Sequence, residues 1–144
     1  MSTKLLQVLL VEDSPTDVLL TREALDHAKL LNVLHVVENG LEAMDFLHRQ
    51  GKFHDAPRPD LVLLDLNMPG MSGVETLQLL LQDCPKTAVV MLTVSEDAED
   101  LTLALRAGAC GYLIKNIDTD YFIRAIRRAA AGEMVVAEAM TGKL

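Results

Sequence analysis

The sequence predicts an α/β fold: a doubly wound parallel sheet of five strands, covered on both faces by five helices. Three observations predict it. Short apolar runs alternate with stretches of helical periodicity, and no two runs are joined by a two-residue hairpin. The runs at 5–11 and 61–64 carry almost no polar residue, as strands buried on both faces require. A length of 144 residues suits one domain. The folded unit is expected over 1–131, with 132–144 as a C-terminal tail or linker remnant.

Each element has its own signal. Residues 5–11 are apolar apart from Gln7 and stop abruptly at Glu12 and Asp13, which makes them a central strand. Ser14, Pro15 and Asp17 then start a helix with a hydroxyl cap, a first-turn proline and a carboxylate near the positive dipole end. On that helix Leu20, Thr21, Ala24 and Leu25 are expected to share the core face; Leu19 then points away, flanked by Val18 and Arg22. Residues 33–37 are short and β-branched, Asn39-Gly40 marks a turn, and Leu41, Ala43, Met44, Phe46 and Leu47 recur at helical spacing. Two prolines make 51–59 a loop. Residues 61–64 and Asp65 repeat the first strand's pattern, and the breaker-rich segment 67–73 precedes a helix over 74–83. A strand over 87–93, a helix over 97–107 stopped by Gly108, a strand over 110–115 and a helix over 118–131 complete the set. Phe122, Ala125, Ile126 and Ala129 form the expected core stripe of the last helix. From Gly132 the tail is weakly patterned and is given no core role.

Composition excludes several function classes. Thirteen Lys and Arg against 21 Asp and Glu give a net charge of −8, so most of the surface repels a phosphate backbone and direct nucleic-acid binding is not expected. The longest apolar runs fall far short of the ~20 residues of a membrane span. Cys84 and Cys110 lack CxxC spacing and no secretory leader is evident, which together point to a reduced, cytoplasmic protein. His27, His35, His48 and His54 have no metal-ligand spacing.

The chemistry lies at the strand ends. In an open parallel sheet all strand C-termini share one edge, where ligands bind. Glu12-Asp13, Asp65, Thr93 and Lys115 stand at four such ends. Carboxylates within ~4 Å repel by about 4 kcal/mol at an effective dielectric of 20, so the cluster calls for a cation. Oxygen ligands of this kind suit Mg²⁺, which takes one or two carboxylates together with substrate phosphate oxygens. A carboxylate is also a competent nucleophile toward phosphorus, and Asp65, fixed between Leu64 and Leu66, is the candidate.

These motifs resemble the CheY-like receiver domain of two-component response regulators, over residues 4–131. Val11-Glu12-Asp13 is similar to the acidic metal-binding pair, and the segment from Leu63 through Asp65 to Gly70 to the phosphoacceptor strand and loop. Thr93 is similar to the switch hydroxyl, and Gly111-Tyr112-Leu113-Ile114-Lys115 to the strand carrying the switch aromatic and the lysine. The resemblance implies a flavodoxin-like sheet order of 2-1-3-4-5. It implies Mg²⁺ held by Glu12, Asp13, Asp65 and the Asn67 backbone carbonyl. Thr93 and Lys115 would bind phosphoryl oxygens, and Tyr112 would turn inward with Thr93. It further implies a sensor histidine kinase or phosphotransfer protein as partner, docking at Val18, Leu19 and Arg22, and a signalling phosphoacceptor rather than an enzyme, with weak self-phosphorylation and self-dephosphorylation. Opposite charges on the last two helices, Glu99 and Asp100 against Arg124, Arg127 and Arg128, permit a homodimer.

The N-terminal half is similar to stand-alone receivers of phytochrome-type kinases. The C-terminal half and the tail are similar to LuxR-type regulators, whose helix-turn-helix output domain would make the chain a fragment. Asn116 stands where many receivers have proline, and Val94 is larger than the Ala or Gly often found there. Two rival readings fit less well. A flavodoxin-like cofactor module wants a hydroxyl and glycine cradle where Glu12-Asp13 stands. An aspartyl-phosphate hydrolase wants an early Asp-x-Asp, where this chain has Asp65-Leu66-Asn67 in mid-sequence.

Overall fold

The computed structural model describes residues 5–27, 31–68, 70–94, 97–115 and 118–136; Asn116 and residues 137–144 of the tail lie outside the described residues. Strands β1 (Leu6–Val11), β2 (Asn32–Val37), β3 (Leu61–Asp65), β4 (Ala88–Thr93), β5 (Gly111–Ile114) and β6 (Val135–Val136) form one sheet. All pairs are parallel and the order is β2-β1-β3-β4-β5-β6. Helices α1 (Pro15–His27), α2 (Gly40–His48), α3 (Gly73–Asp83), α4 (Ala98–Arg106) and α5 (Thr119–Ala130) lie between them, with a 3₁₀ turn at Gly51–Phe53 in the expected loop.

Alternation along the strands sorts the core into two layers. Leu9, Val11, Val62, Leu64, Met91 and Tyr112 pack with Ala43, Phe46, Leu77, Leu80, Leu101 and Ala104, which belong to α2, α3 and α4. Val8, Leu10, Leu63, Leu92 and Leu113 face Leu25 of α1 and the α5 stripe of Phe122, Ala125, Ile126 and Ala129. That stripe is the predicted one.

Caps hold the turns between strand ends and helices. Asn39, read from sequence as a turn residue, is the N-cap of α2 and accepts a hydrogen bond from the Glu42 amide at 2.8 Å. Ser72, Asp97 and Asp118 cap α3, α4 and α5 in the same way. With Ser14 beside α1, every helix begins just past a strand's carboxyl end, so positive helix ends converge on that edge.

Two expectations are corrected. The sheet has six strands rather than five, because the tail returns to it. The Val135 amide donates to the Cys110 carbonyl at 3.0 Å, and the Tyr121 hydroxyl donates to the Val136 carbonyl at 3.0 Å. Gly111 permits the approach, since a β-carbon there would lie 2.6 Å from Val135 Cγ2. A two-residue strand carries no periodicity to read, which is why the sequence pattern misses it. The second correction concerns α1. Its core side chains are Val18, Ala24 and Leu25, while Leu20 is 58% exposed beside Leu19 at 55%. Ala24 and Leu25 are in the core as expected, and Val18, two turns before Leu25, joins them where Leu20 does not.

Candidate functional site: an acidic pocket closed by a lysine

Four strand ends deliver their predicted side chains to one place. Asp65 ends β3, Thr93 ends β4, Lys115 follows β5, and Glu12-Asp13 follows β1. The sheet register fixes their depth: Asp65 pairs with Leu92 and Thr93 with Ile114, so the groups stand within about one residue of each other along the strands.

Carboxylate oxygens of Glu12, Asp13 and Asp65 lie within 4.8 Å of one another. Glu12 and Asp65 are buried and Asp13 is exposed, so the cluster opens to solvent on one side. Lys115 bridges the acids. Its ammonium donates to Glu12 Oε1 at 2.6 Å and to Asp17 Oδ2 at 2.8 Å, and stands 3.5 Å from Asp65 Oδ2. Glu12 Oε2 accepts from the amides of Asp13 and Ser14 at 3.1 and 3.3 Å, which pins the extra methylene of the glutamate against the chain. Asp65 Oδ1 accepts from the Asn67 amide at 3.1 Å, and the Asn67 side chain reaches Thr93 Oγ1 at 3.5 Å.

Charge and burial compete here. Desolvation pushes the Glu12 carboxyl up to about 7; Lys115 works against this and the neighbouring Asp65 adds to it. Burial disfavours the Lys115 charge, yet hydrogen bonds to Asp17 and Glu12, with Asp65 nearby, hold its ammonium above the usual lysine range. Asp17 was read from sequence only as a helix-start acid. Its position two residues after the Ser14 cap, at the edge where the strands end, was the available signal.

Thr93 and Tyr112 are fully buried. The Tyr112 ring packs in the layer of α2, α3 and α4. Val94, directly after Thr93, is 73% exposed at the rim. Of the expected docking residues, Leu19 and Arg22 are exposed and Val18 packs against the core. A cavity of about 240 Å³ separates α1 from α5, with Glu12, Asp17 and Lys115 at its polar end and Leu20, Ala24 and Phe122 along its walls. On the other edge Glu99, Arg124 and Arg127 are exposed, while Arg128 pairs within the chain with Glu133 at 3.3 Å.

The sequence matches the response regulator receiver domain family over residues 8–127. The chain belongs to that family. Receiver domains are signalling phosphoacceptors of two-component systems, and this receiver has close relatives among them. It is 37% identical to the nitrate/nitrite response regulator protein NarL of Escherichia coli over 134 residues, 93% of this chain and 59% of that protein. The receiver therefore spans little more than half of NarL. It is 39% identical to response regulator Rcp1 of Synechocystis over 111 residues, 76% of each chain. The Mn²⁺-bound form of Rcp1 superposes with a TM-score of 0.74 at 35% identity, covering 84% of this chain and 88% of Rcp1. The phosphorylated cyanobacterial phytochrome response regulator RcpA superposes with a TM-score of 0.78 at 29% identity, covering 87% and 93%. Among the described residues of the receiver, no helix is long and apolar enough to cross a membrane.

Proposed function

We propose that Asp65 is the phosphoacceptor of this receiver, that the transfer requires Mg²⁺, and that the donor is a sensor histidine kinase or a phosphotransfer protein. The observation that carries this reading is the placement of Asp65, buried among Glu12, Asp13 and Lys115 with one oxygen on the Asn67 amide and the other facing the ammonium.

Glu12, Asp13 and Asp65 fit a divalent cation, since they offer hard oxygen donors within ligating reach of one another, and the Asn67 carbonyl is a further candidate donor. Bound there, Mg²⁺ would neutralise acid charge and polarise a phosphoryl oxygen. Rcp1 has been crystallised in a Mn²⁺-bound form, which supports a divalent site in this relative.

The remaining chemistry belongs to the chain. A lone pair on an Asp65 carboxylate oxygen attacks phosphorus; the new O–P bond forms as the P–N bond of a phosphohistidine breaks, its electron pair returning to the imidazole nitrogen. Positioning and charge neutralisation carry most of such a transfer. Lys115 supplies a positive charge to the equatorial oxygens, and Thr93 supplies a hydroxyl donor. A buried Thr93 drawn toward the phosphoryl group leaves the space beside Tyr112 changed, and a population shift between outward and inward tyrosine alters the surface of α4, β5 and α5. The charged α4–α5 face then serves partner binding or a homodimer. Leu19 and Arg22, exposed on α1, form the docking surface for the kinase. Self-phosphorylation and self-dephosphorylation are weak activities in this reading.

Intact mass after incubation with acetyl phosphate and Mg²⁺ tests the reading. One phosphoryl group is expected on the wild type and none on Asp65→Asn. Equal labelling of the two, or no labelling without a block on folding, overturns it.

A further inference from the structure

Asp17 plays no part in the function proposed above, although it makes one of the shortest contacts in the pocket. Its carboxylate accepts from the Lys115 ammonium at 2.8 Å, whereas that ammonium stands 3.5 Å from Asp65. Asp17 is also fixed to its helix, its amide donating to Ser14 Oγ at 3.3 Å. Two and three residues further along α1 stand the exposed Leu19 and Leu20. The first turn of α1 thus holds the pocket's ammonium more closely than the phosphoacceptor does.

We propose that Asp17 is a positioning residue that tethers Lys115 to α1, so that phosphorylation of Asp65 moves the lysine from α1 to the phosphoryl group. The inference rests on the reading of Asp65 as phosphoacceptor and deepens it. An ammonium has three N–H donors, and Glu12 and Asp17 occupy two of them at hydrogen-bond distance. An aspartyl phosphate carries about twice the charge of the carboxylate it replaces, and its attraction for Lys115 rises in proportion. The bond that yields is the more solvated one. Asp17 is 33% exposed and Glu12 only 2%, so water screens and replaces the Asp17 contact more easily. The consequence is a direct link from the phosphorylation state to the first turn of α1, beside the proposed docking residue Leu19.

The test uses the full chain with Asp17→Asn, and Glu23→Gln as control. Glu23 is an exposed acid on the same helix, so its variant removes the same charge without touching Lys115. With acetyl phosphate and Mg²⁺, an O–P bond forms to Asp65 and acetate leaves. Asp17→Asn is expected to raise the initial rate about fivefold, since a competitor for Lys115 and a repelling charge both go, while Glu23→Gln changes it by less than about twofold. Nitrogen-15 NMR supplies a second reading. In the wild type the Lys115 ammonium signal moves on phosphorylation; in unphosphorylated Asp17→Asn it has already moved toward that position, and in Glu23→Gln it has not. A rate for Asp17→Asn equal to that of Glu23→Gln, or an unmoved Lys115 signal, overturns the tether. A wild type that takes no phosphoryl group at Asp65 overturns the functional reading instead, and the tether is then decided by the Lys115 signal of the unphosphorylated proteins.

Discussion

Gly73 presses the first turn of α3 onto the end of β3 so closely that a β-carbon there would lie 2.6 Å from the Asp65 carbonyl oxygen. It would also lie 2.7 Å from Leu66 Cα and 2.8 Å from the Leu66 carbonyl oxygen. All three atoms are backbone, so no rotamer change relieves the overlap. The Gly73 amide meanwhile donates to the Leu66 carbonyl at 3.1 Å, which locks the helix to the strand that aims Asp65. Gly73→Ala is expected to cost about 2 kcal/mol in urea unfolding and to slow labelling of Asp65 by acetyl phosphate. An unchanged unfolding midpoint would mean that α3 slides away from β3 without loss.

Glu12 gives the receiver a pH signature. Its folded-state value near 7 lies above the ordinary 4.5, so the folded chain binds this proton more tightly than the unfolded chain. The contribution is therefore complete below about pH 4.5 and is lost as pH rises to about 7. Metal binding wants the carboxylate, so Mg²⁺ affinity is expected to climb over the same interval. Urea midpoints of wild type and Glu12→Gln from pH 4.5 to 7.5, without metal, check this: the wild type should lose stability relative to the variant across that window. Parallel curves would show that Glu12 titrates alike in both states.

Leu19 exposes over half of its surface and does not belong to the core side chains of α1. Leu19→Asp is expected to slow transfer from a partner histidine kinase about tenfold, the cost of a moderate interface residue, while labelling by acetyl phosphate is kept. Equal loss from both donors would show damage to the fold instead of a docking defect.

Val135 is 3% exposed, and its strand covers the edge of β5. Val135→Ala removes two methyl-sized groups from that contact and is expected to cost about 1.5 kcal/mol, read as a lower urea midpoint. Tyr121→Phe, which removes the hydroxyl that holds the Val136 carbonyl, should cost about 1 kcal/mol. No effect from either would place β6 outside the cooperative unit.

The order of strands and helices, and the identity of the groups at the strand ends, were legible in the sequence. A buried strand writes itself as an unbroken apolar run, and a polar residue that ends such a run must stand at the sheet's edge. Asp65 after Leu64, Thr93 after Leu92 and Lys115 after Ile114 are all of this kind. The α5 stripe was legible for the same reason, since four apolar side chains at helical spacing define one face unambiguously. On α1 the apolar residues are too many for one stripe; Ala24 and Leu25 were legible as core, and only packing against the sheet chose Val18 over Leu20. Tertiary structure also decided what Lys115 holds. Its partners Glu12 and Asp17 lie 103 and 98 residues away, and local periodicity carries no information about distances that arise only when β1 and β5 enter the same sheet. The same holds for β6, whose two residues are a strand only because Gly111 leaves room for them.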